Sequence, residues 1–324
     1  MTRFLTAATV LALAGCANAG DDLGLPPGPT GTFQVAVFFD RDGTGTLTTF
    51  DTVMRAARVA LFAEGGVDTF MLANSRDDGT ATFINVPVGR YRFDVVRATI
   101  GDSLPVIEGA NLAFPLRADT LNKGAVVLVS YATLSLAEAR AAQPGARVFV
   151  HGVVTSPLQA FADQATFLSG GGAQLRVVPS AHRPGRNGNN IGDSVIVLGR
   201  LAQEHGQPVL RDGEVLTVGS RAPLPLTDVT VAEIATARGG ALDAAAVQAP
   251  RSVIADTASV GAEFHVRIAT DPDTAMVVFD ANLPVAKVNF IPGREMTTRG
   301  VLVPIAPGTW ILKPRPVAGE VVLH

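Results

Sequence analysis

Between Asp40 and Asp51 the chain spaces its oxygen donors as a hard cation requires. The run Asp40-Arg41-Asp42-Gly43-Thr44-Gly45-Thr46-Leu47-Thr48-Thr49-Phe50-Asp51 puts donors at places one, three and five and a glycine at six. A backbone carbonyl follows at seven, an apolar residue at eight and a carboxylate at twelve. A Ca2+ ion takes roughly six to eight oxygens, and the glycine permits the sharp turn that converges them. The spacing therefore predicts a Ca2+ site made by Asp40, Asp42, Thr44, Thr46 and Asp51. It departs from the usual loop in two ways: Asp51 stands where a longer glutamate is common, and Thr44 is neutral. The flanks read as strand before and irregular chain after, so a helix-loop-helix hand is not expected. The same residues also compose a polar Asp- and Gly-rich turn, and the sequence leaves both readings open.

A second ligand candidate is His182-Arg183-Pro184-Gly185-Arg186-Asn187-Gly188-Asn189-Asn190. Here His182, Arg183, Arg186 and Asn187 form a polar loop whose guanidinium groups could grip phosphate or carboxylate. It reads equally as a long solvated loop. Elsewhere Gly101-Asp102-Ser103-Leu104 resembles the nucleophile block of a lipase family known by those four letters. In that family the block follows the first strand of an α/β fold, and a late Asp-x-x-His completes the triad. Neither context is present, and the five histidines (His151, His182, His205, His265 and His324) are scattered. The chain is expected not to be an enzyme.

Cys16 is the sole cysteine, so no intrachain disulfide can form. Arg3 precedes an apolar run from Phe4 to Leu13, too short for the roughly 20 residues that span a bilayer. A charged start, a short apolar middle and small residues before a cut make a secretory signal. Leu13-Ala14-Gly15-Cys16 resembles the lipobox of bacterial lipoproteins. That resemblance implies cleavage before Cys16, lipidation of its thiol and anchoring of an exported protein to a membrane. Ala17 would then be the second mature residue, which points to the outer membrane in a cell with two. From Ala17 to Gly31, breakers and prolines make an extended tether.

Lys plus Arg number 26 against 29 Asp plus Glu, and only 17% of residues are charged. Loss of Arg3 leaves a net charge of about −4. This balance argues against a surface that coats nucleic acid. Short alternating runs such as Gln34–Phe38 and Arg58–Phe62, separated by Gly and Asp clusters, predict a β-sandwich over 32–132. Asp77-Asp78-Gly79-Thr80-Ala81-Thr82-Phe83, then Val86-Pro87-Val88-Gly89-Arg90-Tyr91, resemble the prealbumin-like Cna-B and Sdr-B repeats of bacterial adhesins over Phe33 to Val96. In those repeats strand-borne Asp-rich loops bind calcium. The lysine of their isopeptide pair has no counterpart in the matched stretch, since Lys123 lies beyond it.

From Leu134 to Ala142 the pattern turns helical, with Ser135 and Glu138 in capping-box places and a stop at Gln143-Pro144-Gly145. The signature returns 95 residues later as Thr230 and Glu233, with Gly239-Gly240 as the stop. Gly192 to Leu201 likewise aligns with Gly293 to Leu302, an offset of 101. Two matching signatures in the same order predict a tandem duplication, 133–222 and 223–324. The strands from Ala146 to Thr155, Gln174 to Val178 and around Gly199 resemble the OB-fold domains of exported bacterial proteins. Gly152 and Gly199 would be the kinks that close a small barrel. Ala255 to Val260 reads as an insertion in the second copy.

The expected fold is thus mostly β: signal 1–15, tether 16–31, one sandwich, then two OB-like barrels, each preceded by a short helix. Single-strand binding needs a basic groove with aromatic platforms. The first barrel segment has eight Arg and six acids, the second eight basic residues and ten acids, and Phe149, Phe167 and Trp310 sit in apolar strands. The expected role is a non-catalytic envelope module, stabilised by calcium, that binds or scaffolds a protein or glycan, with nucleic acid the less favoured partner. Oligomeric state is left open.

Overall fold

A computed structural model describes residues 28–101, 106–108, 113–158, 160–180 and 190–324. Cys16, residues 102–105 with Ser103, and His182, Arg183, Arg186 and Asn187 lie outside the described residues.

The first unit is a two-sheet sandwich. One sheet runs Thr52–Val53, Thr30–Phe39, Leu121–Ser130, Val106–Glu108, with Thr80–Pro87 also paired to Thr30–Phe39. The other runs Thr69–Asn74, Arg58–Ala63, Gly89–Val95, Phe114–Leu116. Period-two alternation decides which side chains meet. Along Thr30–Phe39 every second residue is buried, so Phe33, Val35 and Val37 face Leu61, Phe93 and Val95 across the core. Phe33 and Phe114 stack with ring centroids 4.0 Å apart. Tyr91, from the Pro-x-Gly-x-Tyr signature, is buried and donates its hydroxyl to the carbonyl of Pro87 at 2.9 Å.

Two closed barrels follow. In the first, Arg147–Ser156, Thr166–Gly170, Ala173–Pro179, Asp193–Glu204 and Gln207–Ser220 are joined in the order first-second-third-fifth-fourth, and the fourth strand closes on the first. The third and fifth strands run parallel. The second barrel repeats this order with Ser252–Val260, Glu263–Thr270, Asp273–Phe279, Glu295–Ala306 and Thr309–Lys313. Its first strand is preceded by Ala246–Gln248, which pairs with the same fourth strand. Pro250, which has no N–H to give a ladder, lies in the gap between the two pieces. Ala255 to Val260 is therefore no insertion: it is the outer half of the first strand, in a hairpin with Glu263–Thr270.

The correspondence extends to the entry segments. Thr133–Leu134 pairs in parallel with Phe149 and Val150, and Thr227–Asp228 with Val247 and Gln248. Each pairing strand leads into a six-residue helix, Leu136–Ala141 or Val231–Thr236, with a complete capping box from Ser135 and Glu138 or from Thr230 and Glu233. Such caps are worth about 1 kcal/mol each. The second helix stops earlier than its Gly-Gly pair suggests, because Ala237 takes the left-handed conformation (φ 45°) and ends it. Gly199 and Gly300 occupy the same place in the two fourth strands, opposite Val148 and Val247. A Cβ on Gly300 would lie 2.3 Å from the carbonyl oxygen of Lys313, and one on Gly199 would lie 2.6 Å from Leu210 Cγ. Only glycine lets the fifth strand come so close.

Candidate metal loop at the junction of sandwich and barrel

The strand Thr30–Phe39 ends where the backbone N–H of Asp40 donates to the carbonyl of Val129 at 3.0 Å. The chain then coils on its own carboxylates. Thr44 N–H lies 3.2 Å from Oδ1 of both Asp40 and Asp42, and Gly45 N–H donates to Asp40 Oδ2 at 3.0 Å. Gly45 takes φ +69°, the left-handed turn expected of the glycine at place six. At the far end, Asp51 accepts from the N–H groups of Arg41 (2.9 Å) and Thr48 (2.7 Å) and folds the twelfth residue back over the first.

These bonds bring one carboxylate oxygen each from Asp40, Asp42 and Asp51 within 4.8 Å of one another. Among the described residues this is the one group of three or more His, Cys, Asp or Glu side chains placed to share an ion. Asp40 and Asp42 are buried, at 1% and 3% exposure. Among the described residues no ion pair reaches any of the three, and Arg41, inside the loop, reaches out to Glu214 instead. Thr44 and Thr46 join the cluster through hydroxyl and carbonyl: Thr44 Oγ1 donates to Asp42 Oδ1 at 2.7 Å and lies 3.1 Å from the Thr46 carbonyl oxygen. Thr48 is the residue that sequence reasoning missed. Its hydroxyl donates to Asp42 Oδ2 at 2.7 Å from place nine of the loop, where calcium loops often bring in a donor through water.

The electrostatics follow from crowding like charges out of water. Burial pushes Asp40 up, with the neighbouring Asp42 and Asp51 adding to the rise against the Gly45 hydrogen bond. Burial also raises Asp51, helped by the charge of Asp42. Asp42 goes the other way: burial raises it, but hydrogen bonds from Thr44 and Thr48 together outweigh that and hold it below the usual aspartate value. Three oxygen-only ligands, unpaired with any cationic side chain among the described residues, suit a hard divalent ion.

The loop also touches the first barrel. Gly43 lies against Phe149, whose ring atoms would be 3.2 Å from any Cβ placed there. Arg41 bonds Glu214 at 3.4 Å, and Glu214 also meets Arg147 at 3.7 Å. Phe149, Ile196 and Leu198 of the barrel belong to the same buried cluster as the sandwich core, joined through Tyr131. Phe149, Phe167 and Trp310 are all buried and serve as core. Among the described residues of the first barrel, Arg176 is engaged with Asp163 and Glu204, Arg211 with Glu204, Arg200 with the carbonyl of Gly145, and Arg221 with Ser194.

No protein-family model matches the sequence, and no curated protein matches it. Among solved structures the chain is similar to a murine DNA binding protein bound with ds DNA, at 9% identity over 54% of this chain and 97% of that one, with a TM-score of 0.29. The TIE protein of Bacillus anthracis matches at 9% identity over 88% of this chain and 50% of that one, with a TM-score of 0.26. GBS52, the minor pilin of the Gram-positive pathogen Streptococcus agalactiae, matches at 11% identity over 60% and 92%, with a TM-score of 0.21. At such scores the fold assignment rests on strand order and register.

Proposed function

We propose that the chain is a non-catalytic lipoprotein of the cell envelope, held to a membrane by acyl chains on Cys16, whose sandwich and barrels form a calcium-stiffened module that binds or scaffolds a protein or glycan outside the cytoplasm. The observation that carries this reading is the convergence of buried Asp40 and Asp42 with Asp51, without a cationic partner among the described residues, where the sandwich meets the first barrel. Asp40, Asp42 and Asp51 would hold the ion, with the Thr44 hydroxyl and the Thr46 carbonyl as further oxygens and Thr48 orienting Asp42. An ion there would cancel the repulsion among the three carboxylates and tighten a loop that already contacts Phe149 and Glu214. Among the described residues, the engagement of Arg176, Arg200, Arg211 and Arg221 by carboxylates, a carbonyl and a hydroxyl supports a partner other than nucleic acid, whose binding depends on free cationic groups.

Calorimetric titration of the mature chain with CaCl2, beside the double variant Asp40→Asn, Asp42→Asn, tests the metal. Saturable binding lost in the variant is expected; the absence of heat and of any melting shift at millimolar calcium would remove calcium from the reading. Labelling of cells with an alkyne fatty acid tests the anchor, and label must vanish in Cys16→Ser. Salt-sensitive binding to single-stranded DNA, weakened in Arg183→Ala, Arg186→Ala, would overturn the choice of partner.

A further inference from the structure

A tandem duplication joined by an exposed segment, 221–226, would ordinarily give two modules on a swivel. We propose instead that the two barrels are one obligate unit, locked at an apolar seam with three polar anchors, so that they offer a partner a single fixed surface. The seam is a buried cluster of its own, in which Phe161 and Phe167 of the first barrel pack with Val278, Val303 and Ile311 of the second. Phe161 and Phe167 meet edge to face at 5.8 Å. The strands of the second barrel are apolar on both faces here. Val277, Leu302 and Leu312 point into its own core, while their neighbours Val278, Val303 and Ile311 fill the seam. A strand buried on both faces reads as a continuous apolar run, and a free second barrel would expose that wall to water.

The two copies diverge where the seam demands it. With Gly199 and Gly300 as the shared reference, Val301 stands where the first barrel has the exposed Arg200, and Val303 where it has Ala202. The first barrel turns this position to solvent, and the second turns it to its neighbour.

Polar anchors surround the seam. Arg140, on the first capped helix, donates to Asp243 Oδ2 at 3.2 Å and to the carbonyls of Gly240 at 3.4 Å and its own Gln174 at 2.9 Å. Asp243 is buried and also accepts from Trp310 Nε1 at 3.0 Å. Arg315, equally buried, grips Glu320 through two bonds (2.9 and 2.7 Å) and donates to the carbonyl of Thr155 across the seam at 2.6 Å. The N–H of Ala162 donates to Asp280 Oδ1 at 2.8 Å while Lys313 Nζ donates to Oδ2 at 2.9 Å. If the barrels parted, Asp243 would keep Trp310 but lose the Arg140 guanidinium, and Arg315 would keep Glu320 but lose the Thr155 carbonyl, so charge-assisted bonds across the seam would be given up. Parting therefore carries an electrostatic cost beside the apolar one.

The test uses the full mature chain with a specific protease site placed within 221–226. After cutting, the two pieces are expected to elute together under native conditions, and seam amides in 166–170 and 301–303 to exchange with solvent at a common opening rate. Asp243→Asn should speed both sets by the same factor, and Val303→Asp should release the pieces after cutting while circular dichroism stays β. Separation of the pieces from the cut parent chain, or seam amides of the two barrels that respond to Asp243→Asn independently, would overturn the proposal.

Discussion

Asp40→Asn separates a metal loop from an ordinary polar turn, because the two accounts predict different dependence on calcium. In the parent chain three carboxylates have oxygens within 4.8 Å. At an effective dielectric near 20, like charges at such separations repel by about 3 kcal/mol per pair. Neutralising Asp40 relieves part of that, but it weakens the charged bonds from Thr44 and Gly45, and a hydrogen bond to a charged group contributes about 1.5–3 kcal/mol. With the ion chelated away, relief of the two repulsive pairs that involve Asp40, about 6 kcal/mol at that dielectric, at least matches the weakening of the two bonds, about 3–6 kcal/mol at most, so the variant should be no less stable than the parent. With calcium at one hundred times its dissociation constant the parent gains about 2.7 kcal/mol. For a cooperative unit of 150–250 residues that is a rise of about 5–10 °C in melting temperature. Asp40→Asn removes a ligand and should lose most of that rise. The assay is a pair of thermal melts, parent and variant, each in EDTA and in saturating calcium. A difference between parent and variant that is the same in both buffers would rule out a metal loop, since the stability of a plain polar turn does not depend on calcium.

Other outcomes follow from the same geometry. Asp40 and Asp51 have raised folded pKa values, so in EDTA their contribution favours the fold at mildly acid pH and is lost as pH rises through those values, while the depressed Asp42 contributes above its ordinary pKa and loses that contribution as pH falls; denaturant melts across pH 4 to 7 should show the first trend, and calcium should abolish it near neutrality. Glu233 is held down to about 2, first by the Arg238 side chain and then by the capping bond at Thr230, so Glu233→Gln should flatten the loss of stability as pH falls from the ordinary glutamate range towards that value. Ser135→Ala and Thr230→Ala should each cost about 1 kcal/mol in chemical denaturation, and equal losses would confirm that the two caps do equal jobs. Gly300→Ala should destabilise more than Gly199→Ala, because its Cβ meets the backbone of Lys313 where the other meets mainly a leucine side chain; overpacking of this kind costs about 1–3 kcal/mol or more.

Much of the architecture was legible because it is written in local chemistry. Both capping boxes, Ser135 with Glu138 and Thr230 with Glu233, form as the spacing requires, since such a cap is a matter of four consecutive residues and a backbone turn. The glycine pairs located the duplicated fourth strands for the same reason: only glycine tolerates the approach of Lys313 or Leu210. What stayed hidden is what distant parts of the chain decide together. The break at Pro250 made Ala255 to Val260 look like an insertion, because the fourth strand that binds both pieces, Glu295–Ala306, lies over forty residues on from Pro250 in the chain. Thr48 escaped notice since its place in the loop asks for a ligand carried by water, and its hydroxyl instead serves Asp42. The seam was equally hidden, because Val278, Val303 and Ile311 read as core whether they face their own barrel or the next.

The acidic loop and the seam bear on the same physical question: how a chain of small β units, each with a modest core, keeps its parts in register. At the first junction Tyr131 and Phe149 merge the sandwich core with the barrel wall, and Arg147 lies over the Tyr131 ring at 5.3 Å while pairing with Glu214. At the second, Phe161 and Phe167 do the same with anchors at Asp243, Asp280 and Arg315. The seam is closed by its own residues, whereas among the described residues no cationic side chain pairs with the three carboxylates of the acidic loop. On the proposed reading, calcium would make the stiffness of the first junction adjustable while the second stays fixed. Hydrogen exchange in the first barrel strand, Arg147–Ser156, should slow on adding calcium to the intact chain, while exchange in Glu295–Ala306 stays as it was. Equal slowing in both strands, or in neither, would place the effect of the ion outside the Phe149 contact and break the link between the loop and the junction.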